Sequence, residues 1–187
     1  MHSRSIAAAI TVMLLMGCGR TQSSAPATRP VAPAANSANA AAGDIPDTQL
    51  FVRYNSPFGY SVLTPEGWTR RIHGSSVTFV WNFDGERIVK LNGQLRTSSA
   101  VAQTIRDFSA VRDVTTKPDR LPGGPATLIT FTSDSTPDPV TGKHVRLDNA
   151  SYVFVRNRRS ARLDLWAPRG SDNVDQWNKL SRSFAWR

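Results

Sequence analysis

Few residues in this 187-residue chain have types that do chemistry. Cys18 is its only cysteine, so no disulfide can close within it. Beyond the first residues the histidines are His73 and His144. A zinc site of three or four nitrogen or sulfur ligands would therefore have to recruit carboxylates. His73 precedes Gly74-Ser75 and His144 follows Lys143, contexts that suit loops better than a ligand set. Nucleophilic hydrolysis would show a serine between glycines in a strand-to-helix turn, and no G-x-S-x-G occurs. Phosphate-cradling, dinucleotide-binding and H-E-x-x-H patterns are also missing. The segment Ser133 to Lys143 offers Asp134 and Asp138 among several oxygens. It lacks the spacing and closing Glu of a calcium loop, so a polar hairpin is the plainer expectation. We expect no catalytic residue, metal or cofactor, while a Ser/His/Asp arrangement assembled from distant positions stays open.

Arginine is the side chain best placed to bind something. Arg156-Asn157-Arg158-Arg159 puts three guanidinium groups at one turn, which suits docking on phosphates or carboxylates; a solvated charged turn is the alternative. On the segment that follows, Arg162, Asp164 and Trp166 alternate with Leu163 and Leu165. They should share one strand face, with Trp166 half exposed as part of a second candidate binding surface.

The lone cysteine has a clear context. Arg4 precedes an apolar run from Ile6 to Met16, and Gly17-Cys18 closes it, the layout of an export signal. Eleven apolar residues rise only about 16 Å as a helix, whereas a membrane span needs roughly 20 residues. Leu15-Met16-Gly17-Cys18 resembles the bacterial lipobox, with Met16 bulkier than usual at its position. The alternative is an ordinary signal in which the cysteine is incidental. Acylation of Cys18 would remove a redox-prone thiol and anchor the chain firmly through two or three acyl chains. Residues 1–17 are thus expected to be a signal peptide. The location would be the cell membrane or outer membrane, on the extracytoplasmic side; Gly19, where Asp would mark inner-membrane retention, favours the outer one.

Residues 18–46 are expected to be the acylated cysteine and a disordered tether. Ala, Ser, Pro, Thr and Asn dominate there, and such a composition buries too little to offset chain entropy. Residues 47–187 then form a single domain of ordinary size. Three of the 23 basic residues and one of the 14 acidic ones precede Asp47, which leaves the domain at +7. Its partners are expected to be the membrane, through the anchor, and an envelope protein or anionic surface. Nucleic acid is not expected for an exported chain.

Periodicity supplies the elements. Val77, Phe79 and Trp81 alternate with Ser76, Thr78 and Val80, Asn82 to Gly85 turn, and Ile88 to Leu95 returns. Thr127 to Thr132 follows a Pro-Gly-Gly turn, and Ala150 to Val155 with Arg162 to Trp166 flank the arginine turn as a hairpin. Phe51 to Tyr54 and Tyr60 to Leu63 make an early pair. Val101, Ile105 and Phe108 mark one helix. Val174, Trp177, Leu180 and Phe184 mark another behind Ser171-Asp172. Trp68, Trp81, Trp177 and Phe184 are expected in the core. The pattern predicts an α+β fold, a mainly antiparallel sheet sandwiched with a few helices.

The two ends of this domain look like a known group. Phe58-Gly59-Tyr60-Ser61-Val62-Leu63-Thr64-Pro65-Glu66-Gly67-Trp68 resembles the start of the PsbP-like superfamily. Ala167 to Trp177, through Ser183-Phe184-Ala185-Trp186, resembles its closing helix, nearest to the small secreted and lipoprotein members. The resemblance implies a sheet between helical layers and a non-catalytic accessory or interaction role. Metal binding has been discussed for the lumenal members, but no matching cluster of His and carboxylates occurs here. Two other functions remain open: a carrier of a small apolar or anionic ligand, and a hydrolase without a recognisable motif. A cavity lined by Phe79, Phe131 and Phe154 would favour the carrier. A clefted His73 or His144 near a Ser and a carboxylate would favour the hydrolase.

Overall fold

The computed structural model describes residues 43–82, 84–91 and 97–187, leaving aside the side chains of 88–91. The signal, Cys18 and residues 18–42 of the expected tether lie outside the described residues, as do Phe83 and the expected strand end at 92–95. The strands are β1 (Phe51–Ser56), β2 (Tyr60–Pro65), β3 (Thr69–His73), β4 (Ser76–Trp81), β5 (Asp84–Leu91), β6 (Ser109–Leu121), β7 (Gly124–Asp134), β8 (Arg146–Arg156), β9 (Arg159–Pro168) and β10 (Ala185–Trp186). Helix α1 (Thr97–Arg106) precedes β6, and α2 (Val174–Ser183) precedes β10. All strand pairs are antiparallel, in a seven-stranded sheet ordered β3-β4-β5-β9-β8-β7-β6 and a three-stranded sheet β1-β2-β10. This is the expected α+β sandwich.

Alternation sorts the large sheet into two apolar faces. Val77, Phe79, Leu163, Leu165 and Tyr152 point one way and pack with Tyr60 and Val62 of β2 and Leu180 of α2. Ile129, Phe131 and Val153 point the other way, beneath Ala100 of α1. Phe184 seals the first face: its ring stacks on Phe154 at 4.1 Å between centroids, nearly parallel at 13°. It does so from an extended residue just past α2, not from within the helix.

Two strands escape an alternation search. β3 is exposed along its whole length, and β6 shows a buried side chain only at Leu121. Both are edge strands, and β6 protects its open edge in the usual ways. It carries register shifts, positive φ at Ala110 and Asp113, and Pro118, which an edge tolerates because no neighbour needs its missing N–H.

Two expectations about packing are corrected: Trp81 is 41% exposed and Val174 is 63% exposed. Trp68 and Trp177 are part-buried and pack against the core. The buried residues of α2 are Gln176, Leu180 and Ser181, so its inward stripe is partly polar. The cause is the chain at Gly43–Asp47, which composition assigns mostly to the tether but which docks beside α2. Ile45 is 3% exposed, and its N–H donates to Asn173 Oδ1 at 2.6 Å. Asn173 Nδ2 donates to Gly43 O at 2.8 Å, and Gln176 Nε2 donates to Ile45 O and Asp47 Oδ1, both at 3.2 Å. Gly43–Asp47 is thus held against the head of α2 by these four hydrogen bonds. Asn173 heads α2 with no side-chain capping bond, because its amide holds this strap.

Two carboxyls lie buried on β5, and one of them, Asp84, is within reach of Asn173. Neither oxygen of Glu86 has a hydrogen-bond partner among the described residues, and burial pushes its pKa well above the ordinary value. Burial, then the charge of Asp44, raises Asp84 from 3.8 to about 7. A carboxyl with a raised folded-state pKa holds its proton more tightly in the fold than in the open chain. Its contribution to stability is then full below about 3.8 and is lost as pH climbs to about 7. Urea unfolding should accordingly show a more stable domain at pH 5 than at pH 8, and Asp84→Asn with Glu86→Gln should flatten that difference. An unchanged pH slope in the double variant would mean that other groups set it.

Candidate binding surfaces

The arginine turn is a tight hairpin. Arg156 and Arg159 are the last paired residues of β8 and β9, and Asn157 and Arg158 carry φ of 49° and 64°. Positive φ at both central residues is the primed turn that matches strand twist. Arg156 and Arg158 are exposed. Arg159 is only part-exposed, because its side chain is held back against the protein. Its Nη2 donates to Gly59 O at 2.8 Å and its Nη1 to Arg187 O at 3.2 Å, while its guanidinium lies 4.9 Å over the Trp186 ring. A side chain on Gly59 would collide with that guanidinium. Arg159 thus ties the β1–β2 turn to β10, a job invisible in a local charge run. Around it lies a cavity of about 250 Å³ lined by Arg156, Asn157, Arg159, Trp186 and Arg187, with no acidic residue among the described ones.

This basic end is remote from the strap. A Cβ on Gly43 would strike Pro168 and Ser171, which places the strap beside the far end of β9. That strand is ten residues long, a span of about 30 Å at ~3.3 Å per residue.

The second surface is rearranged more deeply. Arg162, Asp164 and Trp166 do share a strand face, but Arg162 and Asp164 are 1% and 0% exposed. Strand register aligns Arg71, Thr78, Arg87, Asp164 and Ser151 in one transverse row across β3, β4, β5, β9 and β8. Arg87 Nε donates to Asp164 Oδ2 at 2.8 Å and Ser151 Oγ to Asp164 Oδ1 at 2.6 Å. Arg162 Nε sits 2.9 Å from Asp164 Oδ1, and its Nη2 pairs with Asp107 at the end of α1. Burial by itself would lower the Arg162 pKa, but Asp164 and Asp107 outweigh it and hold the guanidinium above its ordinary value. Two arginines and two aspartates thus neutralise one another beneath α1.

Trp166 is part-buried. Its indole covers Gly85, where any Cβ would overlap the ring, and it meets Phe108 edge-on at 6.3 Å. Phe108 also packs on Phe131 at 4.9 Å. Where α1 ends, a cavity of about 440 Å³ opens over the sheet, bounded by Arg71, Val80, Arg87, Phe108, Leu147 and Trp166 among others.

The features that would favour an alternative function are arranged otherwise. Phe79 and Phe154 belong to one core and Phe131 to the other, so the three share no cavity. His73 and His144 are exposed, and the His144 ring faces the Ser135 carbonyl at 2.7 Å. Asp138 Oδ1 accepts from the N–H groups of Val140 and Thr141 and from the Thr141 hydroxyl. Those bonds, the Thr141 N–H first, hold its carboxyl below the usual range. Among the described residues no three His, Cys, Asp or Glu are grouped to hold a metal, and no helix is long and apolar enough to cross a membrane.

No protein-family model matches the chain, and no curated protein is similar to it. Among solved structures, a protein of Bacteroides thetaiotaomicron aligns at 15% identity with a TM-score of 0.49, over 72% of this chain and 48% of that one. The chain therefore spans about half the length of that protein. LpqN of Mycobacterium tuberculosis, described as involved in cell envelope biogenesis, aligns at 15% identity with a TM-score of 0.39, over 73% of this chain and 89% of LpqN.

Proposed function

We propose that this protein is a lipid-anchored, extracytoplasmic accessory domain that acts by binding, and that its basic hairpin end docks on an anionic surface. The observation carrying this reading is the cavity between Arg156, Arg159 and Arg187, which three arginines line and no acidic side chain does among the described residues. Arg159 is fixed by backbone carbonyls, so it shapes the cavity while Arg156 and Arg158 remain to engage the partner. The lipobox-like Leu15 to Cys18 supports the anchor, and the PsbP-like resemblance supports a non-catalytic role. Because the strap and the hairpin sit at opposite ends of β9, an anchored domain can present its basic end away from its own lipid.

Two measurements test the reading. Cys18→Ser should release the protein from membranes or leave it unprocessed; unchanged fractionation and cleavage would remove the anchor from the proposal. With that variant as background, Arg156→Ser with Arg158→Ser should weaken binding to phosphatidylglycerol-rich vesicles roughly ten- to thirtyfold, at about 1 kcal/mol per arginine. Stability should change by no more than about 0.5 kcal/mol, as at exposed positions, and wild-type binding should fall with added salt. Equal vesicle binding by both forms at low salt would overturn the docking surface.

A further inference from the structure

We infer that the cavity beside Trp166 is a binding site for a small, flat organic monoanion, of the class of aromatic carboxylates. This cavity shares no lining residue with the hairpin. At about 440 Å³ the cavity falls in the size range of small-molecule sites. Its apolar lining includes Val80, Phe108, Leu147 and Trp166, and both rings are held in place. Trp166 is pinned over Gly85, and Phe108 is braced by Phe131 on one side and the Arg87 guanidinium, 4.9 Å from its centroid, on the other. Rings already fixed in position lose little freedom when a flat ligand stacks against them.

Charge sets the rest of the specificity. Among the described residues, the acidic and basic side chains that line the cavity are Arg71, Arg87, Asp107 and Asp134. Arg87 is committed to Asp164 and lies 3.9 Å from Asp107, and Asp107 also pairs with Arg162. Asp134 is matched by Arg146 at 2.7 Å. Arg71 is exposed and has no counter-charge among the described residues. It stands two strands from Arg87 on the same face, about 10 Å away at ~4.8 Å per strand. A guanidinium there reaches over the cavity and takes a carboxylate in a forked pair. One unmatched cation selects one negative charge, and a second carboxylate would meet Asp107 or Asp134.

The test uses the full chain carrying Cys18→Ser, titrated with 2-naphthoate, 2-methylnaphthalene and naphthalene-2,6-dicarboxylate. Calorimetry and the indole N–H resonance of Trp166 report binding. 2-Naphthoate should bind, shift the Trp166 resonance, and bind at least tenfold tighter than either of the other two. Arg71→Gln, on an exposed edge strand, should remove that preference with the fold intact. Trp166→Leu should weaken all three ligands, and its indole signal identifies the resonance. No Trp166 shift at millimolar 2-naphthoate, or equal affinity of wild type and Arg71→Gln for it, would overturn the inference.

Discussion

Asp164→Ala should destabilise the domain by about 3–5 kcal/mol, the usual cost of removing one partner from a buried ion pair. The mutation deletes the carboxylate that faces Arg162, Arg87 and Ser151 together. Arg162, 1% exposed, would keep only Asp107 and a long 3.5 Å contact to Thr104 Oγ1. Asp107 is 43% exposed, so water can replace it, and Asp107→Ala should cost less, about 1 kcal/mol or under. Replacing Arg162 and Asp164 together by Met and Leu should recover part of the loss, because an apolar pair leaves fewer charges stranded. Urea unfolding of the four proteins decides the matter. Similar costs for Asp164→Ala and Asp107→Ala would show that the network is wet and that burial is not what makes Asp164 important.

Asn173→Ala should cost about 2–4 kcal/mol, since it leaves the buried Ile45 N–H without its acceptor and frees Gly43 O as well. The same loss should follow from deleting the chain through Asp47, because both changes undock one strap. The two effects should therefore fail to add: in the shortened protein Asn173→Ala should cost under about 1 kcal/mol. Coupling of that size is expected only between groups in one hydrogen-bond network. Additive costs would place Asn173 in a structural role of its own.

Much of the fold was legible because water writes it into the sequence as alternation. Val77 and Phe79, the β8–β9 hairpin and Phe184 were all identifiable from apolar spacing and turn chemistry. β3 and β6 were not, since an edge strand with both faces in solvent has no period to detect. Helix α2 was placed correctly but turned, with Gln176 inward and Val174 outward. The reason is that Gly43–Asp47 brings backbone polar groups to that face, and a helical wheel cannot know what will pack on it. How the candidate arginines are engaged was hidden for a related reason. Arg162 and Asp164 look like solvent-facing residues until Arg87 and Asp107, more than fifty positions away in the chain, arrive to neutralise them. Arg159 looks free until the carbonyls of Gly59 and Arg187 reach it. Trp166, expected to be half exposed, is part-buried, and the aromatic partner beside it, Phe108, was assigned to a helix face.

The position of the strap also has a mechanical consequence. A domain pulled at once from its anchored end and from a partner gripping Arg156 and Arg158 would carry the load along the length of β9. That strand lies between β5 and β8, and both ladders run parallel to the pull, so their hydrogen bonds resist in shear and share the strain. The strap has no such ladder and hangs on the side chains of Asn173 and Gln176 and the N–H of Asp172. It would yield first, pay out five residues or about 17 Å of chain, and slacken the line before the sheet is stressed.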